Sequence, residues 1–197
     1  MDQRNLILWR RLDLPGHEIA ELTSDGDGWQ LLGVVLVAHD GRPCRLDYLI
    51  DCDAMWTTRA VQIHGHINGA PADLELSRMS DGTWYANGTI VPALQHCIDV
   101  DLGFSPATNL LPIRRLGLAV GDRAAVRAAW VRFPQLTVEV LEQEYARTGP
   151  VTYHYESAGG VFRRELSVNS DGFVIEYPGL WRAEAVTGEP GVRAFDN

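Results

Sequence analysis

The sequence predicts a mainly β, single-domain protein spanning 1–197: a curved antiparallel sheet, either a half-barrel or an open barrel, with one or two short helical segments acting as its lid or plug. Three observations predict it. Apolar and polar residues alternate with period two through most of the chain. Asp-Gly pairs recur between the alternating runs, and Asp-Gly supplies the positive φ angles of tight hairpin turns. One stretch, "IDVDLGFSPATNLLPIRRL" (98–116), abandons the alternation midway.

The strands follow in order. "LLGVVLVA" (31–38) is apolar at every position but one, which predicts a central strand covered on both faces. In "PCRLDYLIDCD", Cys44, Leu46, Tyr48, Ile50 and Cys52 share one face, while Arg45, Asp47, Asp51 and Asp53 share the other. In "TTRAVQIHGHI", the same period places Arg59 with Val61, Ile63 and Ile67, opposite Thr58, Gln62, His64 and His66. Further runs are "VRAAWVRF", "LTVEVLEQEYA", "VTYHYES", "VFRRELSV", "FVIEY" and "LWRAEAV". Turns are marked by "SDGDGW", "HDGRP", "SDGTWYANG" and "NSDGFV"; the three SDG sites are unevenly spaced, so they are hairpin tips rather than a repeat. In the exceptional segment, Ser105 caps and Pro106 starts a helical turn, and Leu110, Leu111 and Ile113 form an apolar side. Pro112 limits any helix there to short turns. The segment reads as a lid or plug, or as an ordinary cross-connection.

Composition narrows the function. At 197 residues one core suffices, and no linker or charge block divides the chain. The net charge of −9 argues against nucleic acid, whose phosphates need a basic stripe, and against an anionic membrane surface. The apolar run near the N-terminus, 6–9, is shorter than the roughly 7–15 residues of a signal peptide. No stretch approaches the ~20 apolar residues of a membrane span, so stable membrane insertion is not expected. Three cysteines without a CxxC spacing fit reduced thiols and a cytoplasmic protein.

Motifs of chemistry are scarce. No phosphate loop, GxSxG or HExxH occurs, and neither cofactor nor metal is expected. His64 and His66 leave one strand face together, but two histidines on a polar face are more often solvated than ligating. Asp99 and Asp101 have the i, i+2 spacing of acid/base pairs, a spacing that alternating acids on a solvent face also produce. Polar residues on apolar faces carry more information. Arg59, Tyr48, and the Trp130/Arg132 and Trp181/Arg182 neighbours fit either core packing with extended arginine stems or a pocket of apolar walls with a few charged groups.

The blocks "CRLDYLIDCDAMWTTRAVQIHG", "DGTWYANG", "IDVDLGFSPATNLLPIRRL", "AAWVRFPQLTVEVLEQEYAR" and "FVIEYPGLWRAE" resemble a bacterial glycolipid-binding family long described as a domain of unknown function. The resemblance runs from about Trp9 to Trp181. It implies a fold similar to bacterial lipoprotein carriers, and a glycolipid or other amphiphile as the ligand. Without an export signal, those carriers' route between membranes is not expected here. From face and residue type, the expected ligand-binding residues are Tyr48, Trp56, Arg59, Trp84, Tyr85, Leu110, Leu111, Trp130 and Trp181, with Arg59 nearest the head group. Two other readings stand beside non-enzymatic amphiphile binding. One is a scaffold for a protein partner, recruited along exposed strand edges. The other is a hydrolase acting on a sugar or lipid ester, with Asp99 and Asp101 as its carboxylates.

Overall fold

The computed structural model describes residues 5–24 and 26–187. It contains one continuous sheet of 16 strands and a single short α-helix. The first five strands are β1 (Asn5–Arg11), β2 (Gly16–Ser24), β3 (Gly28–His39), β4 (Arg42–Asp53) and β5 (Thr58–Ile67). Shorter ones follow: β6 (Ala70–Pro71), β7 (Leu74–Arg78), β8 (Trp84–Ala86), β9 (Thr89–Ile90) and β10 (Asp99–Leu102). The last group is β11 (Arg123–Arg132), β12 (Thr137–Arg147), β13 (Thr152–Ser157), β14 (Phe162–Val168), β15 (Val174–Tyr177) and β16 (Trp181–Val186). β16 pairs with β1, so the order runs β10 to β16 and then β1 to β9, with β6 appended to β5. The sheet is therefore a meander joined through its terminal strands and left open between β9 and β10. Every pairing is antiparallel except β10 with β11, which is parallel. A parallel neighbour needs a crossover, and 103–122 supply it.

The Asp-Gly turns lie where the sequence places them. Asp40 and Gly41, both at positive φ, close the β3–β4 hairpin, and Gly82 and Gly172 sit in the β7–β8 and β14–β15 turns. Gly26 is at the β2–β3 turn; Asp25, the first residue of that Asp-Gly pair, lies outside the described residues.

The crossover is the plug. Ser105 accepts a hydrogen bond from the Ala107 amide (3.0 Å), a 3₁₀ turn covers Ala107–Asn109, and α1 runs Leu110–Leu116. Pro112 is tolerated because it lies in the first helical turn, where its missing N–H has no intrahelical partner. Gly117 ends the helix at positive φ. Phe104, Leu110, Leu111 and Ile113 are buried against the inner faces of the strands, so the plug fills the concavity and completes the core. The Cys97 carbonyl, just before β10, accepts hydrogen bonds from the Arg78 guanidinium (3.1 Å) and the Trp84 indole (3.0 Å), which ties the two open edges together.

Three expectations are corrected. Arg59 does not share the face of Val61 and Ile63: a bulge shifts the β4–β5 register between Asp51 and Cys52, burying Thr58 and exposing Arg59. β3 is not covered on both sides, since Leu36 is 53% exposed. Asp99 and Asp101 are not on a solvent face. Asp99 is 1% exposed and pairs with Arg115 (2.6 and 2.9 Å), and Asp101 accepts a hydrogen bond from the Gln143 amide (2.7 Å).

Gly33 and Tyr48 are cross-strand partners, and the phenol ring lies against the glycine. A Cβ at Gly33 would fall 2.3 Å from the Tyr48 ring and hydroxyl. Gly33→Ala is therefore expected to cost about 1–3 kcal/mol, read as a lower urea midpoint with unchanged slope. A midpoint equal to wild type would mean that the ring moves aside freely.

Candidate functional site

Two features of the molecule hold chemistry: a buried polar cluster beneath the plug, and an open cleft beside α1. In the cluster, Glu18 on β2 is 1% exposed. Its Oε1 accepts hydrogen bonds from the Tyr48 hydroxyl (2.7 Å) and the Ser105 hydroxyl (2.5 Å), while Oε2 has no partner among the described residues. Burial pushes the Glu18 carboxyl up to about 8, against the opposing pull of Ser105, Tyr48 and the Arg11 charge. Burial likewise raises Asp101 to about 6, and raises Asp99 against the stabilising effect of Arg115. A serine bonded to a carboxyl has the components of a nucleophile and a base. Here both are enclosed, and what the contact does in this structure is fasten the plug to β2. Asn109, accepting from the Tyr145 hydroxyl (2.9 Å), and Arg115, pairing with Asp99, fasten it to β12 and β10.

The cleft has a volume of about 390 Å³ and lies between α1, the β4–β5 turn and the strands β12 to β14. Its first wall is Trp56. The Asp53 carboxylate accepts the amides of Met55 (2.9 Å) and Thr57 (2.8 Å), forming a turn in which Trp56 adopts positive φ. The indole stacks on Trp29 with centroids 4.4 Å apart. Arg114 of α1 extends its guanidinium over both rings, 4.9 Å from Trp56 and 5.7 Å from Trp29.

Arg147, at the end of β12, forms the second charged group. It donates to the carbonyls of Leu118 (2.8 Å), Pro150 (2.6 Å) and Gly149 (3.3 Å), and lies over the Tyr153 ring. Asn169 begins the β14–β15 turn; its Oδ1 accepts the amides of Asp171 (3.1 Å) and Phe173 (2.9 Å), leaving the buried Nδ2 without a partner among the described residues. Gly172 keeps that turn close to the plug, since a Cβ there would lie 3.3 Å from both Leu110 and Arg114. Ile113, Val151 and Val168 give the cleft its apolar walls, and among the described residues no Asp or Glu lines it.

Other depressions differ in character. One of about 610 Å³ is a shallow, mostly apolar groove on the outer face, lined by residues such as Leu36, Pro43 and His66. His64 and His66 border a smaller one, where His64 bonds Asp73 at 2.9 Å. Larger volume alone does not make a site; the first is mostly apolar, and in the second the polar groups already pair with one another, Arg45 with Asp47 and His64 with Asp73.

Of the residues expected from the sequence, only Trp56 lines that cleft. Trp84, Leu110, Leu111 and Trp181 lie in the packed core, Trp181 beneath the Arg11 guanidinium at 5.2 Å. Tyr48 bonds Glu18, Tyr85 and Trp130 are half-buried on β8 and β11, Arg132 covers the Trp130 ring at 5.1 Å, and Arg59 faces solvent. Arg114, Arg147, Tyr153 and Asn169 were not anticipated. Arg114 had a signal, the "RRL" that ends the exceptional segment; Asn169 had one in the "NSDG" turn.

Comparison with known proteins gives two findings. The profile of a family described as "Putative glycolipid-binding" matches residues 6–183. A crystal structure of a DUF1089 family protein from Pseudomonas aeruginosa is 35% identical, with a TM-score of 0.75 over 84% of this chain and 91% of that one. No curated protein matches.

Proposed function

Since the chain belongs to this glycolipid-binding family, we propose that it binds a glycolipid or similar amphiphile without altering it, holding the polar head in the α1 cleft. The observation that carries the reading is the cleft's composition: apolar walls of Trp56, Ile113, Val151 and Val168 around the polar groups of Arg114, Arg147 and Asn169. Val151, which lines the cleft and is itself exposed, extends the apolar surface at its rim, where an alkyl chain would lie. The carboxyls that burial raises most, Glu18 and Asp101, are bonded to Tyr48, Ser105 and Gln143 and do not line this opening, which favours binding over hydrolysis. No helix among the described residues is long and apolar enough to cross a membrane. Three buried, unpaired thiols fit a reducing compartment, and the cytoplasm goes with this reading.

An amide NMR titration with octyl glucoside below its micellar concentration tests the location. Binding in the cleft shifts the Trp56 indole signal and the amides of Tyr153, Asn169 and Gly172. Shifts confined to Leu36, His66 and Gly69 would move the site to the outer groove and overturn the assignment.

A further inference from the structure

Within that amphiphile reading, on which this inference rests, we propose that the head group is anionic, a phosphate, sulfate or carboxylate held by Arg114 and Arg147. The protein as a whole is acidic, with a net charge of −9, and its arginines commonly find carboxylates: Arg45 with Asp47, Arg115 with Asp99, Arg127 with Glu142, Arg163 with Glu156. The two arginines of the cleft do not. Among the described residues, Arg114 touches only indole faces with its guanidinium, and Arg147 donates only to neutral carbonyls. Two cations share one opening that no described acid lines; Asp171 belongs to the adjoining turn but stays outside the lining.

The placement of these charges suits a bound anion. Carbonyls on Leu118, Gly149 and Pro150 fix the plane of the Arg147 guanidinium, so its remaining N–H donors are oriented before a ligand arrives. Arg114 is held by its stem, between the Gly172 turn and the stacked indoles, yet it is exposed and keeps its donors available. The unpartnered Asn169 Nδ2 adds a neutral donor at the wall. A neutral sugar would leave both charges uncompensated, whereas an anion pairs with them through charge-assisted hydrogen bonds.

Calorimetry at one fixed ionic strength, using octyl glucoside, octyl glucoside phosphate and inorganic phosphate as probes, tests the inference. Two variants accompany the wild type. Arg114→Gln removes a charge that forms no hydrogen bond with any of the described residues. Asn169→Asp keeps the oxygen that accepts from Asp171 and Phe173 while setting a carboxylate at the wall. The expected result is that octyl glucoside phosphate binds at least about tenfold more tightly than octyl glucoside, and that each variant removes most of this preference by weakening the phosphorylated glycoside far more than octyl glucoside. Equal affinity for the two glycosides, unaffected by either variant, would overturn the anionic assignment and leave amphiphile binding standing. Inorganic phosphate binding as tightly as the phosphorylated glycoside, with octyl glucoside not binding, would keep the anion site and overturn the amphiphile. Failure of all three probes would overturn both.

Discussion

Glu18→Gln is expected to be several kcal/mol more stable than the wild type at about pH 9 and nearly equal to it at about pH 5. The Glu18 carboxyl is enclosed, and burial raises it from 4.5 to about 8. A raised native pKa means that the folded state holds its proton more tightly than the unfolded state. Stability from this group is thus complete below about pH 4.5, falls between about 4.5 and 8 as only the unfolded chain deprotonates, and is gone above. At roughly 1.4 kcal/mol per pH unit the loss reaches about 4–5 kcal/mol. Glutamine never ionises, and its carbonyl still accepts from Tyr48 and Ser105. Urea midpoints of the two proteins across this range should diverge as pH rises. Parallel curves would mean that the carboxyl is solvated and the plug less firmly seated on β2.

Arg115→Met is expected to destabilise the protein by about 3–5 kcal/mol near neutral pH, because it strands the Asp99 carboxylate in a buried site. Asp99 begins the open edge strand β10, and Arg115 lies in the last turn of α1, so their bidentate contact fastens the plug to the sheet's free edge. Adding Asp99→Asn to Arg115→Met should recover much of the loss, since the remaining side chain carries no charge. Chemical denaturation of both variants measures this. A loss below about 1 kcal/mol in the single variant would show that water reaches Asp99 and that the edge does not depend on the ion pair.

These two anchors were hidden in the sequence, while the sheet they serve was largely visible. Period-two runs and Asp-Gly pairs are local signals, and the strands and the tips at Gly41, Gly82 and Gly172 lie accordingly. The plug was legible because a capping serine, two prolines and a leucine cluster interrupt an alternating pattern. Partners across long separations were not: Glu18 meets Ser105 87 positions away, and nothing near either residue announces the other. The bulge beside Cys52 inserts one residue, and one residue is enough to reverse Arg59 from inner face to solvent. The cleft suffered from the same difficulty, since it gathers Trp56, Arg114, Arg147 and Asn169 from two turns, a helix and a strand end. Type and face selected large aromatics as ligand contacts, but once the plug fills the concavity most of those aromatics are core. What distinguishes Arg114 and Arg147 is the absence of a carboxylate beside them, a property of the folded surroundings.

Native mass spectrometry of wild type and Arg114→Gln, purified gently from the protein's own cells and followed by lipid analysis of what denaturation releases, tests the central claim most directly. The account predicts a reproducible acidic amphiphile on the wild-type protein and much less of it on the variant. A clean apo mass for the wild type, unchanged after incubation with lipid extract from the same cells, would contradict it.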